Sequence, residues 1–485
     1  MALGNITFEQ EPVNTTSKVP VITNWTPAIG YMVKQDDISG LFYFKLILEV
    51  RLDDASGTLL AKIKQRRNGE SDDVANDKAR AYFDVGRIVN TQLLNTVLDP
   101  NDTSVPYTTI HKLGANVPAK PFATNNSQIK TIYVKAYQEY SDSASAVPSE
   151  DTTPSVNDTL RYMAASLPLL TTRGSDADYI QGTAFNVYNA SGATDLFLSD
   201  VEVTTFKIQE TYYLSHLVSS ITAPANYVRE SDYHTIAFLN DNANFDSHID
   251  KIRITFFMPT SYNTQHFDNN STNGGEAPND GSLTDAERLL YFGCGPANLE
   301  AQSVVTDAKP SNNPDWVFYT VTGSDGDGNA MTDGYYFIRQ DGSCKGFNVR
   351  RLAWRNSLGC YDYFNFKMKS TQTINVERDK YNTMLGIWNE DKWNYNNTQR
   401  GVTTRKTTAI LRETLNTDWI SEADANLLEK LIMSTDVYVV ENAETTYTEA
   451  VTITDSSYVK KTVANDGLIR YTINIEYANP VNTNS

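Results

Sequence analysis

Alternation of apolar and polar side chains at a period of two is the dominant pattern in this chain. It is clearest in GLFYFKLILEVRL, Gly40 to Leu52. There Phe42, Phe44, Leu46, Leu48, Val50 and Leu52 fall on one face, and Lys45, Glu49 and Arg51 on the other. Successive side chains of a strand point to opposite faces, so the pattern predicts a half-buried strand. The turn formers DDASG and the run TLLAKIKQ predict its return strand, and Gln128 to Tyr140 alternates in the same way. Between them the period changes. Asp84 stands where it would cap a short helix that carries Ile88, Val89, Leu93 and Leu94 inward, with Pro100 just past its end. Residues 1–141 therefore read as an N-terminal β-sandwich with one short helix. The polar stretch from Ser141 to Thr159 contains two prolines and no apolar run, so residues 142–160 are expected to be a linker or a mobile loop.

Residues 161–310 read as a middle β-rich domain with long loops. Val201–Val218, Tyr233–Asn240 and His248–Pro259 are predicted strands, and FDNNSTNGGEAPNDGS a long loop. In LTDAERLLYFG, Leu283 to Gly293, Thr284 and Glu287 have capping-box spacing, which predicts a helix stopped by Gly293 and Gly295-Pro296. Residues 311–485 read as a C-terminal β-sandwich. Its strands are WVFYTVTG, GYYFIRQDG, NVRRLAWRN, CYDYFNFKMKS, TRKTTAILRETL, DVYVVENAE, YTEAVTITD and GLIRYTINIEYANP. A helix is predicted over 421–433, capped by Ser421, with Leu427, Leu428, Leu431 and Ile432 on one stripe. LAWRNSLGCYDYFNFKMKST reads as a hairpin turning at Asn356–Gly359, with Gly359 supplying the positive φ. The fold class expected is mainly β: several antiparallel sandwiches with a few short helices.

Composition supports this reading. Of 485 residues, 40% are hydrophobic and 21% charged, which is enough apolar content for several cores. Tyr, at 28, outnumbers Pro, at 17, and aromatic residues suit strands. The net charge of −18 disfavours non-specific binding of nucleic acid, yet it suits a lumen through which DNA passes without adhering. Cys294, Cys344 and Cys360 form no C-x-x-C pair, so a disulfide framework is not expected. The N-terminal MALGNITFEQEP has no basic start followed by an apolar run. No stretch approaches the length of a membrane-spanning helix.

Candidate chemistry is sparse. DGDGNAMTDGYY places Asp325, Asp327 and Asn329 as in a calcium loop. It has Ala330 where Gly should give the sharp turn and Tyr336 where Glu should chelate, so a hairpin loop is the preferred reading. The five His never stand at zinc-pair spacing, and no nucleophile elbow or P-loop occurs, so no catalytic residue, metal or cofactor is predicted. Cys294, flanked by glycines, reads as a small residue at a crowded helix exit rather than a nucleophile. IWNEDKWNYNN, Ile387 to Asn397, is the best binding candidate. Trp388 and Trp393 flank Glu390 and Asp391 and could stack on a sugar, or else anchor a surface loop to its own domain or to a neighbouring subunit.

LLYFGCGPANL, WRNSLGCYDYFNF, LNTDWISEADANLLEKLIMSTDVYVV and YTINIEYANP, together with the N-terminal FYFKLILEV and AYFDVGRIVNTQLL, resemble structural tail proteins of tailed bacteriophages, of the tail-tip, hub or baseplate kind. The resemblance implies sandwich domains with an appended helix, a tail-tube-like C-terminal unit, and subunits set in a ring around the tail axis. It implies no catalytic residues. The partners expected are copies of the same chain, other tail or virion proteins, and DNA in passive contact with the lumen, after assembly in a host cytoplasm. A receptor- or carbohydrate-binding tail protein and a capsid decoration or head-fibre protein are the alternatives.

Overall fold

The computed structural model describes residues 5–10, 21–22, 30–66, 78–93, 107–115, 121–124, 128–163, 198–207, 220–239, 249–269, 289–340, 346–356, 359–440, 448–455, 457, 469–479 and 482–484. The described residues are mainly β, in several antiparallel sheets with a few short helices, as the alternation predicts. The chain forms two compact units. The first contains 1–225, 233–339 and 356–361; the second contains 226–232, 340–355 and 362–485.

The first unit opens with two facing sheets. Ile6–Gln10, Gly30–Gln35 and Ala79–Asp84 form one. Val21–Ile22, Ser149–Met163, Ile129–Ser141, Phe42–Leu52 and Leu59–Arg66 form the other, in that order. Tyr31, Val33, Ala81 and Phe83 from the first meet Leu46, Leu48, Val50, Ile132 and Val134 from the second in one buried cluster. The predicted inward face of Phe42–Leu52 holds from Phe44 to Val50. Phe42 is exposed instead, because the register shifts between Phe42 and Lys45 and Tyr43 sits at φ 57°. Such a bulge adds a residue and reverses the side chains beyond it. The predicted helix is present at Gly86–Gln92, and Asp84 accepts the Gly86 N–H at 2.9 Å.

The stretch expected to be a linker is a strand. Ser149–Met163 pairs antiparallel with Ile129–Ser141, Gln138 opposite Asp151 and Ile132 opposite Leu160. Its polarity reflects a face turned to water. On that face a charge ladder crosses four strands. Lys62 meets Glu150 at 2.5 Å, Lys64 meets Glu150 at 2.9 Å and also pairs with Glu139, and Lys45 meets Glu139 at 2.6 Å. The hydrogen bonds from Lys62 and Lys64 pull the Glu150 carboxyl down to about 2. Lys45 and Glu139 stand directly opposite each other, and an opposite-charge pair so placed stabilises the strand pairing.

Further along, Phe318–Ser324 is flanked by Lys251–Phe257 and Tyr335–Arg339 in a six-stranded sheet. Leu289–Gly293 lies between Thr235–Leu239 and Phe122–Thr124. This corrects the predicted helix at Leu283–Gly293: its described part is a strand with every residue buried. A short apolar run of this kind cannot be told from a buried helix segment by periodicity. Thr284 and Glu287 lie outside the described residues. Pro296 opens a short helix, Pro296–Glu300, instead of closing one, as its fixed φ and missing donor allow.

In the second unit an eight-stranded sheet runs Tyr361–Phe366, Arg350–Arg355, Val437–Val440, Thr448–Ile453, Thr472–Tyr477, Val402–Asn416 and Thr371–Asn382. Asn482–Asn484 adds to Val402–Asn416. The hairpin predicted in LAWRNSLGCYDYFNFKMKST is present, with Gly359 at φ 82°. Both faces of Tyr361–Phe366 are nearly all buried, so its aromatics pack on either side. The predicted C-terminal helix spans Glu422–Met433. Ser421 caps it reciprocally with Asp424, and Ala425, Leu427, Leu428 and Leu431 are buried. Among the described residues no helix is long and apolar enough to cross a membrane.

A polar cluster is buried in this unit. Asp232 accepts from the Arg229 side chain at 2.6 and 2.9 Å and from the Asn365 amide at 2.6 Å. It also meets the Arg351 guanidinium at 3.5 Å. The Arg351 guanidinium lies 5.1 Å from the centre of the Tyr363 ring. Removing one partner of a buried ion pair leaves an uncompensated charge. Asp232→Ala is therefore expected to lower the stability of this unit by about 3–5 kcal/mol in urea unfolding, with the folded-state spectrum retained.

Candidate interaction site

Trp388 and Trp393 lie at the end of a long two-stranded arm that continues the eight-stranded sheet. Thr371–Asn382 pairs with Val402–Asn416 along its whole length, from Thr371 opposite Thr414 to Asn382 opposite Val402. Toward its C-terminal end Val402–Asn416 has further partners. Thr472–Tyr477 lies against Arg412–Asn416, and Asn482–Asn484 against Thr407–Ala409. Beyond Thr407, among the described residues, the two arm strands pair with each other alone. The register shifts once, where Asp379 faces Lys406 and Lys380 faces Thr404, so Arg405 is an extra residue. A bulge there increases the twist of the arm.

The tip is a second, smaller hairpin. The Thr383 N–H donates to the Gly401 carbonyl at 2.9 Å, and the Thr383 hydroxyl donates to the Arg400 carbonyl. Ile387–Asn389 pairs with Lys392–Asn394, which sets Trp388 directly opposite Trp393. Glu390 takes the left-handed conformation, φ 46°, in the two-residue turn, as hairpin turns of this length require. Gly386 has φ +96°, and a Cβ there would lie 2.5 Å from Trp393 Nε1. The glycine is what lets the backbone pass the indole.

The arm carries large apolar side chains in solvent. Met384 is 80% exposed, Ile387, Trp388 and Tyr395 are each 68% exposed, and Trp393 is 40% exposed. The arm's two faces differ in character. Ile374, Val376, Arg378 and Lys380 share one face, whereas Glu377, Asp379 and Tyr381 share the other. The first face is apolar near the root and basic farther out.

The root is fixed by a buried carboxylate. Glu413, 1% exposed, accepts from Arg350 Nε at 2.9 Å, from the Tyr477 hydroxyl at 2.8 Å and from the Gln372 amide at 3.3 Å. Burial by itself would push the Glu413 carboxyl up. The hydrogen bonds from Arg350 and Tyr477 and the Arg350 charge outweigh it and hold the group below the ordinary carboxylate range. One side chain thus ties the two arm strands to Arg350–Arg355 and Thr472–Tyr477.

The sequence singled out the two Trp but not the arm. Thr371–Asn382 carries no apolar stripe, so it was not expected to be a strand. Its Thr, Ile and Val content was the available signal. The pattern predicts a surface loop over Ile387 to Asn397 whose two Trp stack on a sugar or anchor it to its own domain or to a neighbouring subunit. The structure has a hairpin there instead, and the two indoles stand in solvent within the chain.

The other candidates are used for packing and turns. Cys294 is fully buried, its thiol donating to the His234 carbonyl at 3.6 Å. His234 packs edge-on against Phe337 at 4.8 Å. The Asp325 carboxylate accepts the Asn329 N–H at 2.7 Å and its side-chain amide at 2.9 Å, inside a hairpin loop joining Phe318–Ser324 to Tyr335–Arg339. Among the described residues no three His, Cys, Asp or Glu side chains gather as a metal site would require. Cys344 and His216 lie outside the described residues. In comparisons with known proteins, no family model matches the chain and no curated protein matches it.

A carboxylate held below its ordinary range contributes stability above its unfolded-state pKa. That contribution fades as pH falls through the folded-state value. Glu413→Gln is expected to lower stability by about 1–3 kcal/mol at neutral pH. It should also flatten the stability–pH curve below about pH 4.3, the ordinary Glu value. Urea melts of wild type and variant across pH 3–7 check both effects.

Proposed function

We propose that this chain is a non-enzymatic structural subunit of a bacteriophage virion, one that assembles with copies of itself into a ring of the tail at the hub, baseplate or tail tip. The observation that carries the reading is the arm. It presents Met384, Ile387, Trp388 and Tyr395 to water in the isolated chain. Exposed apolar clusters of this size mark surfaces that another molecule covers, and Trp and Tyr are enriched in such interfaces. The mainly β architecture and the helix Glu422–Met433, which lies in the chain between two strands of the eight-stranded sheet, agree with the resemblance to tail proteins. The net charge of −18 suits a lumen that DNA traverses. In this reading the chain scaffolds other tail proteins, and its large interfaces replace any reacting site.

Light scattering on the purified full-length chain is expected to give a mass several times that of one subunit, and labelled chain is expected to localise to the tail in particle images. A chain that stays monomeric at high concentration and never co-purifies with particles refutes the proposal. Localisation on the head would favour a capsid decoration or head-fibre role instead.

A second reading, binding of a carbohydrate receptor, has one observation in its favour: Trp388 and Trp393 are cross-strand neighbours at an exposed tip. Aromatic faces stack on sugar rings. On this reading Trp388→Ala with Trp393→Ala abolishes retention on a host-glycan column, while the thermal midpoint is unchanged. Equal retention of wild type and variant removes it.

A further inference from the structure

We propose that the arm of one subunit docks on the acidic body of a second copy of this chain, through its tip and its apolar-basic face. The inference rests on the assembly reading above and assigns the surface that performs it.

Charge selects the partner. Between Thr371 and Asn416 the chain has seven Lys or Arg and five Asp or Glu, of which Glu413 is buried at the root. Outside that segment it has 34 Lys or Arg against 54 Asp or Glu. The arm is thus positive on a protein that is otherwise strongly negative. Opposite potentials favour contact between one copy's arm and another copy's body, and like potentials keep bodies apart.

The arm's edge argues for docking by face and tip rather than by strand addition. Glu377, Arg378, Asp379 and Lys380 alternate in sign along the edge strand. Two antiparallel edges place side chains of the same face opposite each other. Two copies paired through this edge about a twofold axis would therefore set acid against acid on one face and base against base on the other. Like charges directly opposite disfavour pairing, and charged edges are a general guard against strand addition. The apolar surface remains: Ile374 is 56% exposed and Val376 41%, beside Arg378 and Lys380, and beyond them stands the indole-bearing tip. An arm-to-body contact is heterologous. It leaves each subunit with one arm to give and one body to receive, and contacts of this type form a ring where the rotation from copy to copy closes.

The test uses the full-length chain in three forms: wild type, Ile387→Ser with Trp388→Ala at the tip, and Arg378→Glu with Lys380→Glu on the face. All four positions are exposed, so the thermal midpoints should coincide. Sedimentation across a concentration series is expected to show assembly of the wild type and at least tenfold weaker association for each variant. Added salt should weaken the wild type and have less effect on the charge variant. A photo-crosslinker at position 388 should link to an Asp- or Glu-rich segment of a second copy. If the wild type assembles and both variants assemble equally well, the arm is not the docking element, although the assembly reading survives. If the wild type is monomeric throughout, both fall. Loss of glycan retention in the tip variant with assembly intact assigns the tip to sugar and overturns the proposal.

Discussion

Every strand has two edges of N–H and C=O groups, and each edge must be paired, covered or guarded. The second unit is organised around how one strand meets that requirement. Val402–Asn416 is joined to Thr472–Tyr477 and Asn482–Asn484 only along its C-terminal part, but to Thr371–Asn382 throughout. Its C-terminal end therefore belongs to the body of the eight-stranded sheet, and its N-terminal end to an arm. Continuous pairing carries the rigidity of the sheet outward, so the tip is held by backbone hydrogen bonds rather than by a core of its own.

Glu413 stands where those two regimes meet. A buried carboxylate is costly unless its oxygens are satisfied, and here Arg350, Gln372 and Tyr477 satisfy them from three strands. The same logic recurs at Asp232, where donors from Arg229, Asn365 and Arg351 converge. Apolar packing is tolerant of small slips in register. A carboxylate that needs donors from several strands is not, so these sites specify one alignment. In the N-terminal sandwich the ladder of Lys45, Lys62 and Lys64 with Glu139 and Glu150 contributes to the same end from the surface, where solvent screens each pair.

The arm reverses the usual relation between hydrophobicity and burial. Its largest apolar residues are among the most exposed, while polar side chains such as Asp232, Arg351 and Glu413 are among the least. The backbone at Gly386 and Glu390 is shaped to keep that tip in place.

The sequence by itself determined most of the strands, the helices at Gly86–Gln92 and Glu422–Met433 and the mainly β class. The reason is local: a strand with one wet face writes its period into the chain, as Phe44 to Val50 does, and a cap such as Ser421 or Asp84 acts within three residues. It also singled out Trp388 and Trp393 as unusual. Only the tertiary structure decided which short apolar run was a strand, because Leu289–Gly293 is buried on all sides and shows no period. It alone turned the polar stretch after Ser141 into a paired strand, since among the described side chains of Ser149–Met163 only Val156, Leu160 and Tyr162 reach the core and most of the others are polar. The arm was hidden for the same reason. Thr371–Asn382 buries almost nothing, so nothing in its pattern reports a core, and its conformation comes from hydrogen bonds to a strand about thirty residues away.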